Sequence, residues 1–153
     1  MQNTHKSVRY AELHDLLLSI VSTLNRPQRD DLMIEASRIQ LDRALFPLLV
    51  LIGRFGPIGV VELADRVGRD YTTVSRQVTK LEELGLTKHQ KNAKDKRVNE
   101  SAITPEGKAI TDKIDEAREK IYEKIFLEWD KKEEQELERL LKKLVDDFTS
   151  LNP

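Results

Sequence analysis

At 153 residues, with 39% hydrophobic, 5% aromatic and 35% charged residues, the chain has the size of one domain and a modest apolar complement. That balance favours a mostly helical protein with long charged faces, for which pairing with a second copy would supply further burial. The absence of cysteine excludes disulfides, thiolate metal sites and cysteine-based redox sensing; no apolar run nears membrane-spanning length, and the start MQNTHKSVRY lacks a signal-peptide core, so a cytoplasmic protein with no membrane partner is expected.

The first expected element is a helix over Val8 to Leu24, with Leu13, Leu16, Leu17, Ile20, Val21 and Leu24 forming an apolar stripe and Asn25-Arg26-Pro27 ending it. Pro27 to Gln40 is charged and weakly periodic, and reads as a connection with one helical turn around Asp31 to Ser37. Asp42 to Phe55 then reads as a helix buried through Leu45, Leu48, Leu49 and Ile52, with Pro47 in its first turns, where a missing N–H matters least. Gly56-Pro57-Ile58-Gly59 ends it, and Ile58 is placed in a small third strand.

Two short helices follow. Val60 to Val67 is apolar at Val60, Leu63, Ala64 and Val67, the spacing of a helix buried along one side, and Gly68 can adopt the positive φ that stops it. The next has Val74, Val78, Leu81 and Leu84 on one face and Thr72, Thr73, Ser75, Arg76, Thr79 and Lys80 on the other. Hydroxyls and cations on an exposed helical face suit a major groove, where Arg reads guanine bidentately; a polar solvent face alone would mean no more than an ordinary surface helix. The hairpin after Gly85 shifts that balance. Leu86 to Gln90 and Val98 to Ile103 read as strands around the tip Lys91-Asn92-Ala93-Lys94-Asp95-Lys96-Arg97, whose four cations serve no folding need. The pattern is a winged helix-turn-helix.

Charge distribution agrees. The formal net charge is −1, yet Arg66 to Arg97 holds nine Lys/Arg against four Asp/Glu, while the remainder holds 17 against 23. A basic segment in an acidic chain is the footprint of a nucleic-acid reader.

Thr104-Pro105 is an N-cap followed by proline at the first helical position, opening a helix expected to reach about Trp129 through Ile110, Ile114, Ala117, Ile121 and Ile125. Asp130 with Glu133 forms a capping-box pattern for a last helix whose stripe is Leu137, Leu140, Leu141, Leu144, Phe148 and Leu151. Packing of both helices onto the N-terminal half is the alternative to pairing with a second chain.

The order LADRVGRDYTTVSRQVTKLEELGL, then DKR in a wing, then ITPEGK opening a long helix, resembles the MarR family of bacterial transcriptional regulators over roughly Ala44 to Ala109. One departure is Ser101, where the family usually has an apolar residue in the strand after the wing. The resemblance implies a mainly α fold with a small β-hairpin wing. It divides one domain into a winged helix-turn-helix over 42–104 and a helical dimerisation region over 6–25 and 105–151. It also implies a homodimer binding a pseudo-palindromic double-stranded operator, as a repressor released by a small aromatic effector. Expected DNA contacts are Arg69, Tyr71, Thr72, Thr73, Ser75, Arg76, Thr79 and Lys80 on the recognition helix and Lys94, Asp95, Lys96 and Arg97 on the wing. Dimer contacts are expected at Leu17, Ile114, Ile121, Leu140, Leu144 and Phe148, and an effector beside His14, although a lone histidine is more often an ordinary surface residue.

Catalysis is not expected, and neither a cofactor nor a metal is. His5, His14 and His89 fall in three separate elements without ligand spacing, adjacent acid pairs such as Glu133-Glu134 and Asp146-Asp147 point apart on a helix, and there is no phosphate-cradling glycine loop or nucleophile elbow. The competing class is a helical module that binds another protein and no DNA; a steep dependence of affinity on salt separates the two.

Overall fold

A computed structural model of the chain describes residues 8–151. His5 and the first two residues of the 6–25 segment lie outside them. In chain order the elements are α1 (Ala11–Leu24), α2 (Pro27–Ala36), α3 (Phe46–Phe55), β1 (Ile58–Gly59), α4 (Val60–Val67), α5 (Tyr71–Glu83), β2 (Thr87–Lys91), β3 (Asn99–Ile103), α6 (Pro105–Ile125) and α7 (Lys131–Ser150). The chain divides into two compact units after Glu116.

The first unit contains the winged module. Leu48, Leu49 and Ile52 of α3, Leu63 of α4 and Val74 and Leu81 of α5 are 0% exposed, and with Leu45, Ile58, Ala64, Val78 and Leu86 they form one core. Each such side chain contributes roughly 1.5–3 kcal/mol on leaving water, so this small core fixes how α3, α4 and α5 cross. The sheet runs β1-β3-β2, all antiparallel. Thr87 pairs with Ile103 and Lys91 with Asn99 across the hairpin, while Ile58 pairs with Ser101 as the third strand. Ser101 is buried yet the ladder is complete on both sides of it, so the departure from the family pattern leaves the hairpin intact.

Turn chemistry sets the boundaries. Gly68 and Gly85 take φ of 71° and 76° after α4 and α5, the left-handed conformation that ends a helix abruptly. At the hairpin exit the Thr104 hydroxyl donates to the Gly85 carbonyl at 2.6 Å and accepts from the Gly107 N–H at 3.1 Å, while the Thr104 N–H donates to the Leu86 carbonyl at 3.1 Å. A Cβ on Gly107 would collide with the Leu86 carbonyl, so glycine is required where α6 presses on the start of β2.

Several boundaries differ from expectation. Pro27 to Ala36 is a full helix rather than a connection: Pro27 ends α1 and also occupies the first position of α2, where its fixed φ is preorganised. Its apolar residues Leu32, Met33 and Ile34 are contiguous, so no stripe announced it. α3 starts four residues late, because Asp42 spends its carbonyl on Leu45 and Phe46 and its carboxylate on the Ala44 N–H in a preceding turn. Pro47 does fall in the first helical turn. Leu84 lies outside the core at 58% exposure, as the C-cap of α5.

In the second unit α6 ends at Ile125, short of Trp129. Tyr122 stacks on Phe126 at 6.1 Å and Trp129 meets Phe126 edge-on at 4.8 Å, closing a turn from which Asp130 emerges extended (φ −80°, ψ 162°). Asp130 then caps α7 in a complete capping box with Glu133. α7 has no buried residue, and neither does α1 of the first unit. Ile114, expected at a dimer interface, is instead 1% exposed within the single chain.

Candidate nucleic-acid interface

α5 is set by its N-cap. The Asp70 carboxylate accepts from the Thr73 N–H at 2.9 Å and from the Thr73 hydroxyl at 2.7 Å, which satisfies a free donor of the first turn and fixes where the helix begins. The Thr73 hydroxyl, more than any other group, holds the Asp70 carboxyl below the usual carboxylate range, with the Thr73 N–H assisting. Thr73 is thereby committed to the cap and half-buried. Burial of Val74, Val78 and Leu81 turns the opposite face outward: Tyr71, Thr72, Arg76, Thr79 and Lys80 are exposed and Ser75 half-exposed. The Thr79 hydroxyl donates to the Ser75 carbonyl at 3.0 Å. Arg76 and Lys80 form no ion pair among the described residues, so their charges are available to a polyanion.

The wing tip is a built loop. The Asn92 side-chain oxygen accepts from the Lys94 and Asp95 N–H groups at 2.8 and 2.9 Å, and the backbone closes through Asn92 N–H to the Val98 carbonyl at 2.9 Å. Asp95 then takes Arg97 bidentately, Nε to Oδ1 at 3.0 Å and Nη2 to Oδ2 at 3.2 Å, and accepts the Arg97 N–H at 3.1 Å. The guanidinium beside it lowers the Asp95 carboxyl below its ordinary value, and the carboxylate raises Arg97 in turn. Arg97 nevertheless keeps 91% of its side chain exposed. Lys94 and Lys96 are exposed beside it. The pairing is made across the turn at Lys96 and Arg97.

Arg69 departs from the expected set. Its side chain is half-buried and Nη1 donates inward, to the Ala44 carbonyl at 2.7 Å and to the Gln77 side-chain oxygen at 2.9 Å. His14 is an exposed residue of α1. Asp70 and Asn92 went unremarked in the sequence although both carried a signal, an Asp directly before a helix and an Asn in a hairpin tip. The partners of Arg69 carried none.

A three-helix core with a glycine turn before an exposed polar helix, followed by a wing with a cationic tip, defines a winged helix-turn-helix protein. Residues 42–100 match the family described as HVO_A0114. The chain is 33% identical over 104 residues to YxaD, an uncharacterized HTH-type transcriptional regulator of Bacillus subtilis (strain 168), covering 68% of this chain and 73% of that one. Among solved structures, a MarR family protein from Bacillus stearothermophilus superposes with a TM-score of 0.74 at 23% identity over 95% of this chain and 97% of that one. Streptococcus pneumoniae FabT in complex with DNA gives 0.65 at 18% identity over 94% and 99%. The chain belongs to the HTH-type transcriptional regulators, and its fold is that of the MarR family structures. These are regulators rather than enzymes. No helix among the described residues is long and apolar enough to cross a membrane.

Proposed function

We propose that this protein is a homodimeric repressor that binds a pseudo-palindromic double-stranded operator. Each protomer lays the Thr72 to Lys80 face of α5 in a major groove and sets Arg97 in the adjacent minor groove. The observation that carries this reading is the Asp95–Arg97 clamp, an arginine held in a fixed direction by its neighbour yet 91% exposed at a protruding tip. An arginine so presented suits a narrow A·T-rich minor groove, where negative potential is concentrated. A neighbour of the same fold, FabT, is seen in complex with DNA.

Dimerisation is supported by apolar surface that the single chain leaves open. Leu13, Leu16, Ile20, Val21 and Leu24 of α1 and Leu140, Val145, Phe148 and Leu151 at the other end are all exposed. Exposed apolar residues aligned on one helical stripe are the signature of an interaction face. Leu17, Ile121 and Leu144 are half-buried and Leu140 and Phe148 exposed, so these carry the interface in our reading, whereas Ile114 is spent inside the protomer. A two-fold axis places half-site centres roughly 34 Å apart.

Selection of bound sequences from a random duplex pool tests the reading, with affinity then measured against salt. A pseudo-palindromic consensus and a steep linear fall of log affinity with log salt are expected; an affinity insensitive to salt would return the protein to the protein-binding class. Release by a small aromatic effector, implied by the family resemblance, requires tighter binding to the free form than to the DNA-bound form. Aromatic acids added to the same assay should then lower operator occupancy.

A further inference from the structure

Arg69 follows the left-handed Gly68 directly, and its own N–H is fixed on the Ala64 carbonyl at 3.1 Å. From this anchored backbone its side chain crosses to two elements: the turn before α3, at the Ala44 carbonyl, and the middle of α5, at Gln77. Gln77 lies beside the buried Val74, Val78 and Leu81 and next to the exposed Arg76. Acidic residues of α2 stand behind this link. Asp31 pairs with Arg43 at 3.1 Å, and the partly buried Asp30 feels both Arg69 and Arg43, which oppose the upward push of burial and of Asp31 on its carboxyl.

Apolar packing is weakly directional and lets a helix roll by small amounts, whereas two charge-assisted hydrogen bonds from one rigid guanidinium set both distance and angle. Base-edge recognition depends on that angle. Phosphate neutralisation does not, because it follows charge.

We propose that Arg69 is a positioning residue for sequence reading: anchored on the Ala44 carbonyl and the Gln77 side-chain oxygen, it sets the roll of α5 and so the discrimination between operator and random DNA, without touching DNA. The inference rests on the DNA-binding reading above and replaces the expectation that Arg69 is itself a contact.

The test uses the full chain, the duplex chosen from the random pool and a scrambled duplex of equal length, between 50 and 200 mM salt and well below each variant's melting temperature. Arg69→Met should reduce the ratio of the two affinities on the order of tenfold, the scale of one impaired base contact, while the salt slope keeps its parental value. Gln77→Ala should do the same, and the double variant should lose no more than either single one. Gln77→Glu retains the acceptor for Arg69 and should keep the ratio while weakening both affinities alike.

A salt slope reduced by about 0.9 in Arg69→Met, with equal losses on both duplexes, would make Arg69 a phosphate contact and overturn the inference. Additive losses in the double variant, or a lost ratio in Gln77→Glu, would overturn it as well. If Arg69→Met does not fold, Gln77→Ala decides alone: an unchanged ratio refutes the link. A parent protein that enriches no sequence defeats the DNA-binding reading itself, and this inference with it.

Discussion

The winged module and the terminal helices solve burial differently. In the module three short helices, none longer than 13 residues, enclose six side chains at 0% exposure, so the fold of this part is settled within one chain. α1 and α7 are longer, at 14 and 20 residues, and strongly patterned, yet neither buries a residue. An amphipathic helix is stabilised mainly by the surface its apolar face covers, and helices of this length are marginal alone in water. Stability of the module should therefore be a property of the chain, and stability of the arms a property of its concentration.

Breaking the arms should have the largest effect. Replacing Leu140 and Phe148 together by Glu leaves both side chains as exposed as before in the single chain but sets charge against charge across the proposed two-fold interface. Sedimentation should then show a monomer, and operator affinity should fall on the order of 10²–10⁴-fold as linkage between half-sites is lost. A dimer of parental affinity would mean that α7 is not the interface. Truncation after Trp129 should agree, giving monomer or insoluble chain.

Breaking the core sharpens the contrast. Ile52→Ala should cost about 2–5 kcal/mol by the lost transfer and the cavity. Its melting temperature should shift by the same amount at low and high protein concentration, whereas the parent's should rise with concentration throughout. A concentration-independent parent would contradict the division.

How much of this could be read from residues alone follows the same division. Within the module each feature had a local cause: the i, i+3, i+4, i+7 pattern of Val60 to Val67, the positive φ at Gly68 and Gly85, Ile58 as a third strand, Thr104-Pro105 at a helix start. α2 escaped because its apolar residues are adjacent and its proline reads as a stop. The true ends of α3 and α6 escaped because turns held by Asp42 and by the Tyr122, Phe126 and Trp129 rings override a continuous stripe. The inward bonds of Arg69 escaped for a different reason. A cation beside a recognition helix is expected to face DNA, and its acceptors lie 25 residues before and 8 after it, a separation no periodicity encodes.

The interface itself should respond more modestly than either scaffold. Arg76→Ala removes an unpaired guanidinium from the face opposite Val74 and Val78, and should cost on the order of 1–3 kcal/mol on the selected duplex and much less on a scrambled one. Equal loss on both would make Arg76 a phosphate clamp. The arm-side counterpart is Asp130→Ala, which removes one half of a capping box and should destabilise α7 by about 1 kcal/mol in thermal unfolding while leaving the salt slope alone.

The smallest change is expected at the wing. Arg97 is 91% exposed and, among the described residues, its side chain is bound only to Asp95, so Arg97→Ala should leave the melting temperature nearly unchanged, weaken binding and flatten the salt slope by about one unit. Asp95→Ala should weaken binding less, since the charge stays while its direction is lost. The sign of the pH effect follows from the pair. Arg97 lowers the folded Asp95 carboxyl below its unfolded value near 3.8, so the clamp's contribution is fully present above that value and is lost only as pH falls through the lower folded one. Between pH 5 and 8 the difference in salt slope between parent and Arg97→Ala should therefore stay constant. A difference that disappears toward pH 5 would show that the Arg97 charge is not what the slope reports, and an Arg97→Ala protein with the parental slope would leave recognition to α5 alone.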